Sequence, residues 1–359
     1  MKTPIFKNLL HTCIIATVVA GITFSCKKKE EDEPLIPETT TTTTGTTSST
    51  GGVTTTAGTT TGATTTGGTT SGSTTGNNPW SIVATGTTTE FEAIFFYNDN
   101  IGWAVGKSGK IIYTSNGGLN WTAQVSGTTK DLSAVFFTDA NTGWVAGGDG
   151  VIKKTTDGGS SWVSQANSGQ EDFKGLHFFD SNNGFAVGKE GMIFHTTNGG
   201  NNWVSQANSQ GEDITSVHMI STQVAYCCDK EGGIYKTINA GSSWTTLSSV
   251  RSEYTSIHFP SASYGYVCGK NGMVKRIENG STVIAVNTPS STELTSVFFT
   301  SESTGYVCGK SGRVYKTTDH GNTWTLQGTG TSADLKCMHF PSSATGYIGG
   351  KNGVLLKAQ

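Results

Sequence analysis

Arginine is almost missing from this chain: Arg251, Arg276 and Arg313 are the only three in 359 residues. Lysine and arginine together supply 24 cations against 26 carboxylates, a formal net charge of -2. No basic surface is therefore available to neutralise a phosphate backbone, and nucleic acid is not an expected partner. Charged residues make up only 14% of the chain, and no segment repeats apolar residues at the three-to-four spacing of an amphipathic helix. Helical and α/β classes are thereby disfavoured and an all-β chain is expected. The cysteines of the expected folded region, Cys227, Cys228, Cys268, Cys308 and Cys337, are odd in number, so they imply no disulfide framework.

One apolar stretch, residues 9–22, stands near the N-terminus behind Lys2 and Lys7, interrupted by His11 and Thr12. It is too short for a permanent membrane span and reads as the core of a signal peptide over residues 1–25. Ser25 before Cys26 resembles a lipoprotein cleavage site, which implies lipidation of Cys26 and an anchor in a bacterial outer membrane. Residues 26–37 form a charged segment whose acids extend that expectation to the cell surface. Residues 38–79 are almost wholly Thr, Ser and Gly up to Asn78, which offers nothing to bury against the entropy of ordering. They read as a tether with a reach of roughly 30 to 40 Å.

From residue 80 to residue 359 the chain repeats. A small residue followed by an aromatic recurs at Gly102-Trp103, Gly143-Trp144, Gly184-Phe185, Ala225-Tyr226, Gly265-Tyr266, Gly305-Tyr306 and Gly346-Tyr347, at steps of 40 or 41 residues. Seven units of that period, each with short β-type runs and turn residues, match a seven-bladed β-propeller of four-stranded antiparallel blades. In the second unit the strands are expected at 132–137, 143–147, 151–156 and 162–165, separated by Gly, Asn, Asp and Ser. The last unit stops after three strands, at 335–340, 346–349 and 354–357. The orphan segment 80–84 matches the missing outer strand, so pairing the two ends closes the ring and leaves no open join.

Between third and outer strands the chain reads Thr-x-Asp/Asn-x-Gly-x-x-Trp. The copies are Thr114, Asn116 and Trp121; Thr155, Asp157 and Trp162; Thr196, Asn198 and Trp203; Thr237, Asn239 and Trp244; and Thr317, Asp319 and Trp324. This is the Asp-box, or bacterial neuraminidase repeat. Its expected role is structural: the Asp or Asn side chain bonds backbone amides of the turn, Gly takes positive φ, and Trp packs under the blade. The fifth copy has decayed to Arg276, Glu278, Gly280 and Val283. Together with Gly305-Tyr306 followed by Gly309-Lys310 and Gly312, these boxes resemble the propellers of the photosystem II stability and assembly factor family. That resemblance spans essentially residues 80–359 and implies a non-enzymatic assembly protein that binds another polypeptide. The family's Arg-rich contact patch has no counterpart among the three arginines here.

Two charged rings are expected on one face. An acid precedes every inner strand, at Glu90, Asp131, Asp172, Asp213, Glu253, Glu293 and Asp334. A lysine occupies six of seven turns between second and third strands, at Lys107, Lys189, Lys230, Lys270, Lys310 and Lys351, with Gly148 in the remaining one. Strands alternate direction, so both sets emerge at the same end of the blades. The plainer reading is an ion-pair network that orders the loops; the functional one is a polar rim that recognises a peptide or glycan. The loops 167–172 and 208–213, the longest and most acidic, are the expected contact points.

His177, His218, His258 and His339 take equivalent inner-strand positions, but Phe95, Phe136 and Phe298 fill that position in the other units. A place that exchanges His for Phe is a packing position, and neither metal nor cofactor is expected. Cys228, Cys268 and Cys308 likewise replace Val or Ala as small apolar fillers. Sialidase chemistry needs an arginine cluster, and Arg276 falls at the opposite end from Arg251 and Arg313. The expectation is a monomeric, non-enzymatic envelope protein that binds another envelope or secreted protein, or a glycan. The alternatives are a glycan-binding or glycoside-hydrolysing Asp-box propeller and a structural surface protein with no discrete ligand.

Overall fold

The computed structural model describes residues 78–167, 169–206 and 211–358. The expected signal peptide, Cys26, the charged segment and nearly all of the expected tether lie outside the described residues. Within them are seven antiparallel sheets of four strands each, and no described helix is long and apolar enough to cross a membrane. In the first blade the strands run, from the channel outward, Phe91–Phe96, Gly102–Gly106, Ile111–Thr114 and Thr122–Gln124. In the second, Leu132–Phe137 and Gly143–Gly147 match the expected spans, and the third strand is Ile152–Thr155. Its outer strand is shorter than expected, Val163–Ser164, because Trp162 turns inward against Phe137 at 6.0 Å and 85°.

The seventh blade consists of Leu335–His339, Tyr347–Gly350 and Leu355–Ala358, completed by Trp80–Ile82. Trp80 pairs with Ala358, Ser81 with Lys357 and Ile82 with Leu356. Beyond the strand, Val83 N–H donates to the Leu355 carbonyl at 2.8 Å. Trp80 is buried, edge-on to Phe340 at 6.0 Å, as Trp121 is to Phe96 at 5.9 Å. The N-terminal segment thus serves as the missing outer strand, and the ring closes as the repeat count requires.

The Gly-aromatic pair has a packing cause. A Cβ on Gly102, Gly143 or Gly184 would lie about 2.5 Å from the ring of Phe96, Phe137 or Phe178 of the same blade. The aromatic that follows stacks on the corresponding Phe of the next blade: Trp103 on Phe137 at 3.4 Å, Trp144 on Phe178 at 3.8 Å, Tyr266 on Phe299 at 3.4 Å. Tyr347 of the seventh blade stacks on Phe96 of the first at 3.6 Å, so the ladder runs across the closure. Six of the seven seams are fastened in this way by buried aromatic area and favourable ring geometry; at the seam of the third and fourth blades Met219 stands in place of the phenylalanine.

A second set of fasteners lies at the rim carrying the Asp-boxes. In the second blade, Thr155 Oγ1 receives the Gly159 N–H at 2.8 Å and donates to Asp157 Oδ1 at 2.7 Å; Asp157 in turn receives the Ser161 N–H at 2.9 Å. Gly159 takes φ +89°, which an L side chain would resist. The other four boxes close the same way. Asn116 Oδ1 accepts the Asn120 N–H, Asn198 Oδ1 the Asn202 N–H, Asn239 Oδ1 the Ser243 N–H and Asp319 Oδ1 the Thr323 N–H, each at 2.9 Å. Each of these oxygens also accepts the hydroxyl of its own box threonine, Thr114, Thr196, Thr237 or Thr317.

The tryptophans of the boxes pack on the blades as expected, in unequal environments. They stand edge-on to a phenylalanine: Trp203 to Phe178 at 5.8 Å and 82°, Trp324 to Phe299 at 6.0 Å and 90°. Trp162, Trp203 and Trp324 are buried, whereas Trp121 and Trp244 are only partly so. Trp244 is also the one whose aromatic neighbour belongs to another blade. Met219 stands there in place of the phenylalanine, and the indole meets Phe185 of the third blade at 5.7 Å and 69°. In all five the indole Nε1 has no hydrogen-bond partner among the described residues, so apolar area and edge-to-face contact hold the ring.

The turn formed by each box offers a carbonyl to the preceding blade. Gly158 O receives Trp103 Nε1 at 3.1 Å and Gln124 Nε2 at 2.8 Å, and Gly199 O receives Trp144 Nε1 at 3.2 Å and Lys154 Nζ at 2.8 Å. Gly280 O receives Tyr226 Oη and Lys236 Nζ, both at 2.9 Å; Gly117 O receives Tyr347 Oη at 3.0 Å and Lys357 Nζ at 2.8 Å. Arg276, in the decayed box, donates to His320 O at 2.7 Å and pairs with Glu278 at 2.8 Å.

Candidate functional site at the channel mouth

At the end opposite the Asp-boxes, the acid before each inner strand meets the lysine of the turn between second and third strands. Lys189 reaches Asp172 at 2.8 Å, Lys230 Asp213 at 2.6 Å, Lys270 Glu253 at 2.5 Å, Lys310 Glu293 at 2.8 Å and Lys351 Asp334 at 2.8 Å. The predicted rings therefore form, and they pair lysine to acid within each of these five blades. The three aspartates among these acids carry a second task. Their other oxygen accepts the backbone N–H of a residue in the turn of the preceding blade: Asp149 N–H to Asp172 at 3.2 Å, Glu190 N–H to Asp213 at 3.1 Å, Ser311 N–H to Asp334 at 3.0 Å. Each donor residue sits at positive φ, at 54°, 52° and 58°. One short carboxylate thus fixes a strained turn in one blade and a lysine in the next.

The first two blades break the pattern. Gly148 leaves Asp131 with no lysine from its own blade, and Lys107 crosses from the first blade to reach it at 2.9 Å, touching Glu92 at 3.0 Å as well. Glu90, so released, pairs with Lys336 at 3.2 Å. Lys130 pairs with Asp149 across the space above Gly148. The result is a cavity of about 510 Å³ that runs from Lys130, Asp131, Gly148 and Asp149 to Asp172, Lys174 and Lys336 at the channel mouth. It continues into a narrower space of about 230 Å³ between the inner strands.

These carboxylates are held ionised. Asp172 is pulled down to about 2, chiefly by Lys189, and Asp334 is lowered chiefly by Lys351. The Ser108 amide and Lys107 lower Asp131; in Asp213, Lys230 and the Glu190 amide outweigh the opposing effect of burial. A general acid needs a raised carboxyl pKa, and these four are shifted the other way.

Below the mouth, the four histidines and three phenylalanines form one closed ring around the channel. Centroid distances run Phe95–Phe136 5.0 Å, Phe136–His177 4.8 Å, His177–His218 4.2 Å, His218–His258 5.0 Å, His258–Phe298 4.1 Å, Phe298–His339 5.2 Å and His339–Phe95 4.6 Å. His177, His258 and His339 each accept, at Nδ1, a backbone N–H from the next blade, that of Met219, Phe299 and Phe96, at 3.3 Å. Burial lowers His218 to about 4 and His339 to about 3, so the rings are neutral at pH 7. With Nδ1 accepting, the proton of a neutral ring is on Nε2, which leaves no free lone pair for a metal. The packing role expected from the His-Phe exchange is what the ring displays.

Several residues of the mouth escaped the sequence reading. Glu92, Ser133, Lys174, Thr215, Thr255, Thr295 and Lys336 occupy the second place of successive inner strands and line the cavity. Superposing the units at their 40- or 41-residue step exposes that column, but its mixed chemistry conceals it. Of the loops expected to make contacts, the first contributes Asp172 to the cavity; the second lies partly outside the described residues. The opening falls at the second blade instead, because Gly148 leaves there the space that a lysine stem takes elsewhere. The arginines stand as expected, Arg276 at the Asp-box rim with the His320 carbonyl and Asn322.

Seven blades with Asp-boxes at one rim and an ion-paired channel mouth at the other define an Asp-box β-propeller. The sequence model of the family described as photosynthesis system II assembly factor YCF48 matches residues 124–283 and 275–359, and the chain belongs to that family. No curated protein matches it. Among solved structures, YCF48 bound to a D1 peptide superposes with a TM-score of 0.68 at 19% identity, covering 79% of this chain and 97% of that one. YCF48 from Cyanidioschyzon merolae gives 0.66 at 22% identity, covering 78% and 99%. The Niastella koreensis GH74 enzyme gives 0.65 at 18% identity, covering 77% of this chain but 53% of the enzyme. At these identities the likenesses speak for the fold.

Proposed function

We propose that the chain is a non-enzymatic scaffold that binds an extended segment of another envelope or secreted protein across its channel mouth. The observation that carries this reading is the cavity of about 510 Å³ at Gly148, which joins the one break in the lysine ring to Lys174 and Lys336 inside the mouth. A cleft lined by alternating cations and carboxylates on a rigid ring offers register and specificity to a polar peptide. Membership of a family whose relative is seen with a D1 peptide supports a polypeptide ligand. The lowered carboxylates argue against a hydrolase at this face, since no proton donor is poised among them. Lipidation of Cys26, an outer-membrane anchor and display on the 38–79 tether belong to this proposal and rest on the sequence alone.

The test is capture of partners from envelope extracts by wild-type protein, Gly148→Lys and Lys174→Glu. A Cβ on Gly148 meets only ordinary contacts, Asp172 Oδ1 and Lys130 Cβ at 3.6 Å and Asp131 N at 3.8 Å. The lysine is thus expected to fill the cleft without loss of thermal stability and to abolish capture of a defined partner. Undiminished capture by both variants would overturn the assignment of this face.

A further inference from the structure

The seam between the third and fourth blades lacks the fastener found at five others. The turn carbonyl there belongs to Ala240, and the two positions that elsewhere supply donors hold Phe185 and His195. Phe185 has no polar atom, and among the described residues no donor reaches Ala240 O. His195 stands where Lys154, Lys236, Arg276, Lys316 and Lys357 stand in other blades. Its side chain stacks on Phe185 at 4.5 Å and 23°, is only 8% exposed, and its Nε2 is buried with no partner. Burial lowers its pKa, so the ring is neutral at pH 7. Where the lysine stem is missing, a groove of about 480 Å³ opens, lined by His195, Asn198, Asn202, Val204, Gln206 and Ser242.

The enclosed, unpaired nitrogen leaves a desolvation cost uncompensated, and the half-exposed Ala240 residue at the same groove lacks the protein donor that its turn carbonyl has at five other seams. We infer that this groove is a ligand site for a neutral, hydroxyl-rich molecule, namely a hexose unit of an uncharged oligosaccharide. A hydroxyl both donates and accepts, so one group can donate to Ala240 O while a neighbouring one pairs with His195 Nε2, which is enclosed in the unliganded chain and is reached once the imidazole turns toward the groove. Among the described residues no Lys, Arg, Asp or Glu lines the groove, so a charged ligand would be desolvated without a counter-ion. The amides of Asn202 and Gln206 and the hydroxyl of Ser242 suit the outer hydroxyls of a sugar. Val204, 60% exposed, offers an apolar surface to its C–H face. The corresponding groove between the first and second blades differs: there Gln124 has already taken the turn carbonyl.

The site lies at the Asp-box rim, away from the channel mouth, and does not depend on the function proposed there. The full chain is titrated by calorimetry with cellotetraose and with chitotetraose, while the His195 ring nitrogens are followed by NMR. Binding of at least one tetrasaccharide with a dissociation constant on the order of 1 mM is expected, together with a shift of the His195 Nε2 resonance. His195→Lys installs the cation of the sister blades, fills the groove and latches Ala240 O. It should weaken binding at least about tenfold, a loss of roughly 1.4 kcal/mol, while the melting temperature stays level or rises. Gly148→Lys should leave sugar binding intact. No binding of either sugar, binding that His195→Lys leaves unchanged, or binding that does not move the His195 resonance would each refute the site.

Discussion

Met219 faces Ala225 across the first two strands of the fourth blade, at the place where the other six blades oppose Phe and Gly. The two exceptions in the repeat are one compensated exchange. A planar ring lying over the second strand leaves no room for a Cβ, as the contacts of about 2.5 Å at Gly102, Gly143 and Gly184 show. A flexible thioether does leave room.

Gly143→Ala should therefore destabilise the propeller by about 1–3 kcal/mol through overpacking against Phe137, measured by denaturant unfolding. Phe137 has nowhere to retreat, with Trp103 stacked on one side and Trp162 edge-on to it. Adding Phe137→Met should recover part of that loss. No recovery would mean that the two positions are not coupled.

Trp80→Ala should cost about 3–5 kcal/mol, the range for removing a buried aromatic. Trp80 is 2% exposed and lies edge-on to both Tyr306 and Phe340. Hydrogen exchange should then accelerate first along Leu355–Ala358, the strand that Trp80–Ile82 covers.

Thr155→Val removes the hydroxyl that receives Gly159 N–H and bonds Asp157. Leaving a buried amide unpaired is expected to cost about 1–3 kcal/mol, read from the unfolding midpoint. The fifth blade has no such bond to lose, since Ile277 stands at the threonine position there.

Stability should fall on acidification in two stages. The channel histidines have depressed folded pKa values, about 4 for His218 and about 3 for His339, so the unfolded chain binds their protons first. Their contribution is complete above about pH 6.5 and is lost as the pH falls toward those values. Asp172, lowered to about 2, adds stability that is present above about pH 4 and lost between there and pH 2. His218→Phe, which installs the residue of three sister blades, should flatten the dependence of melting temperature on pH between 6.5 and 4. It should leave the lower stage in place.

The blade count, the strand order and the ring closure were legible because they depend on period and composition. A step of 40 or 41 residues, the Asp-box turns and the orphan Trp80 need no knowledge of neighbours in space. The turn roles of Asn116, Asn239 and Asp319 followed from the motif for that reason, whereas the reach of Trp244 to Phe185 of another blade did not. The charged rings were legible because equivalent positions in equivalent blades land at one end. Their pairing across the first two blades was not, because Lys107 turns to Asp131 only when Gly148 is empty of side chain.

What the sequence determined is local and periodic: a closed array of seven β-blades with a packing histidine here and a structural turn there. Tertiary structure alone decided where that array is imperfect. The cavity at Gly148 and the unlatched seam at Ala240 both arise because a side chain on one blade is completed, or left incomplete, by atoms of the next. Sequence spacing records the repeat, but a contact between blades depends on which of two distant side chains reaches the other.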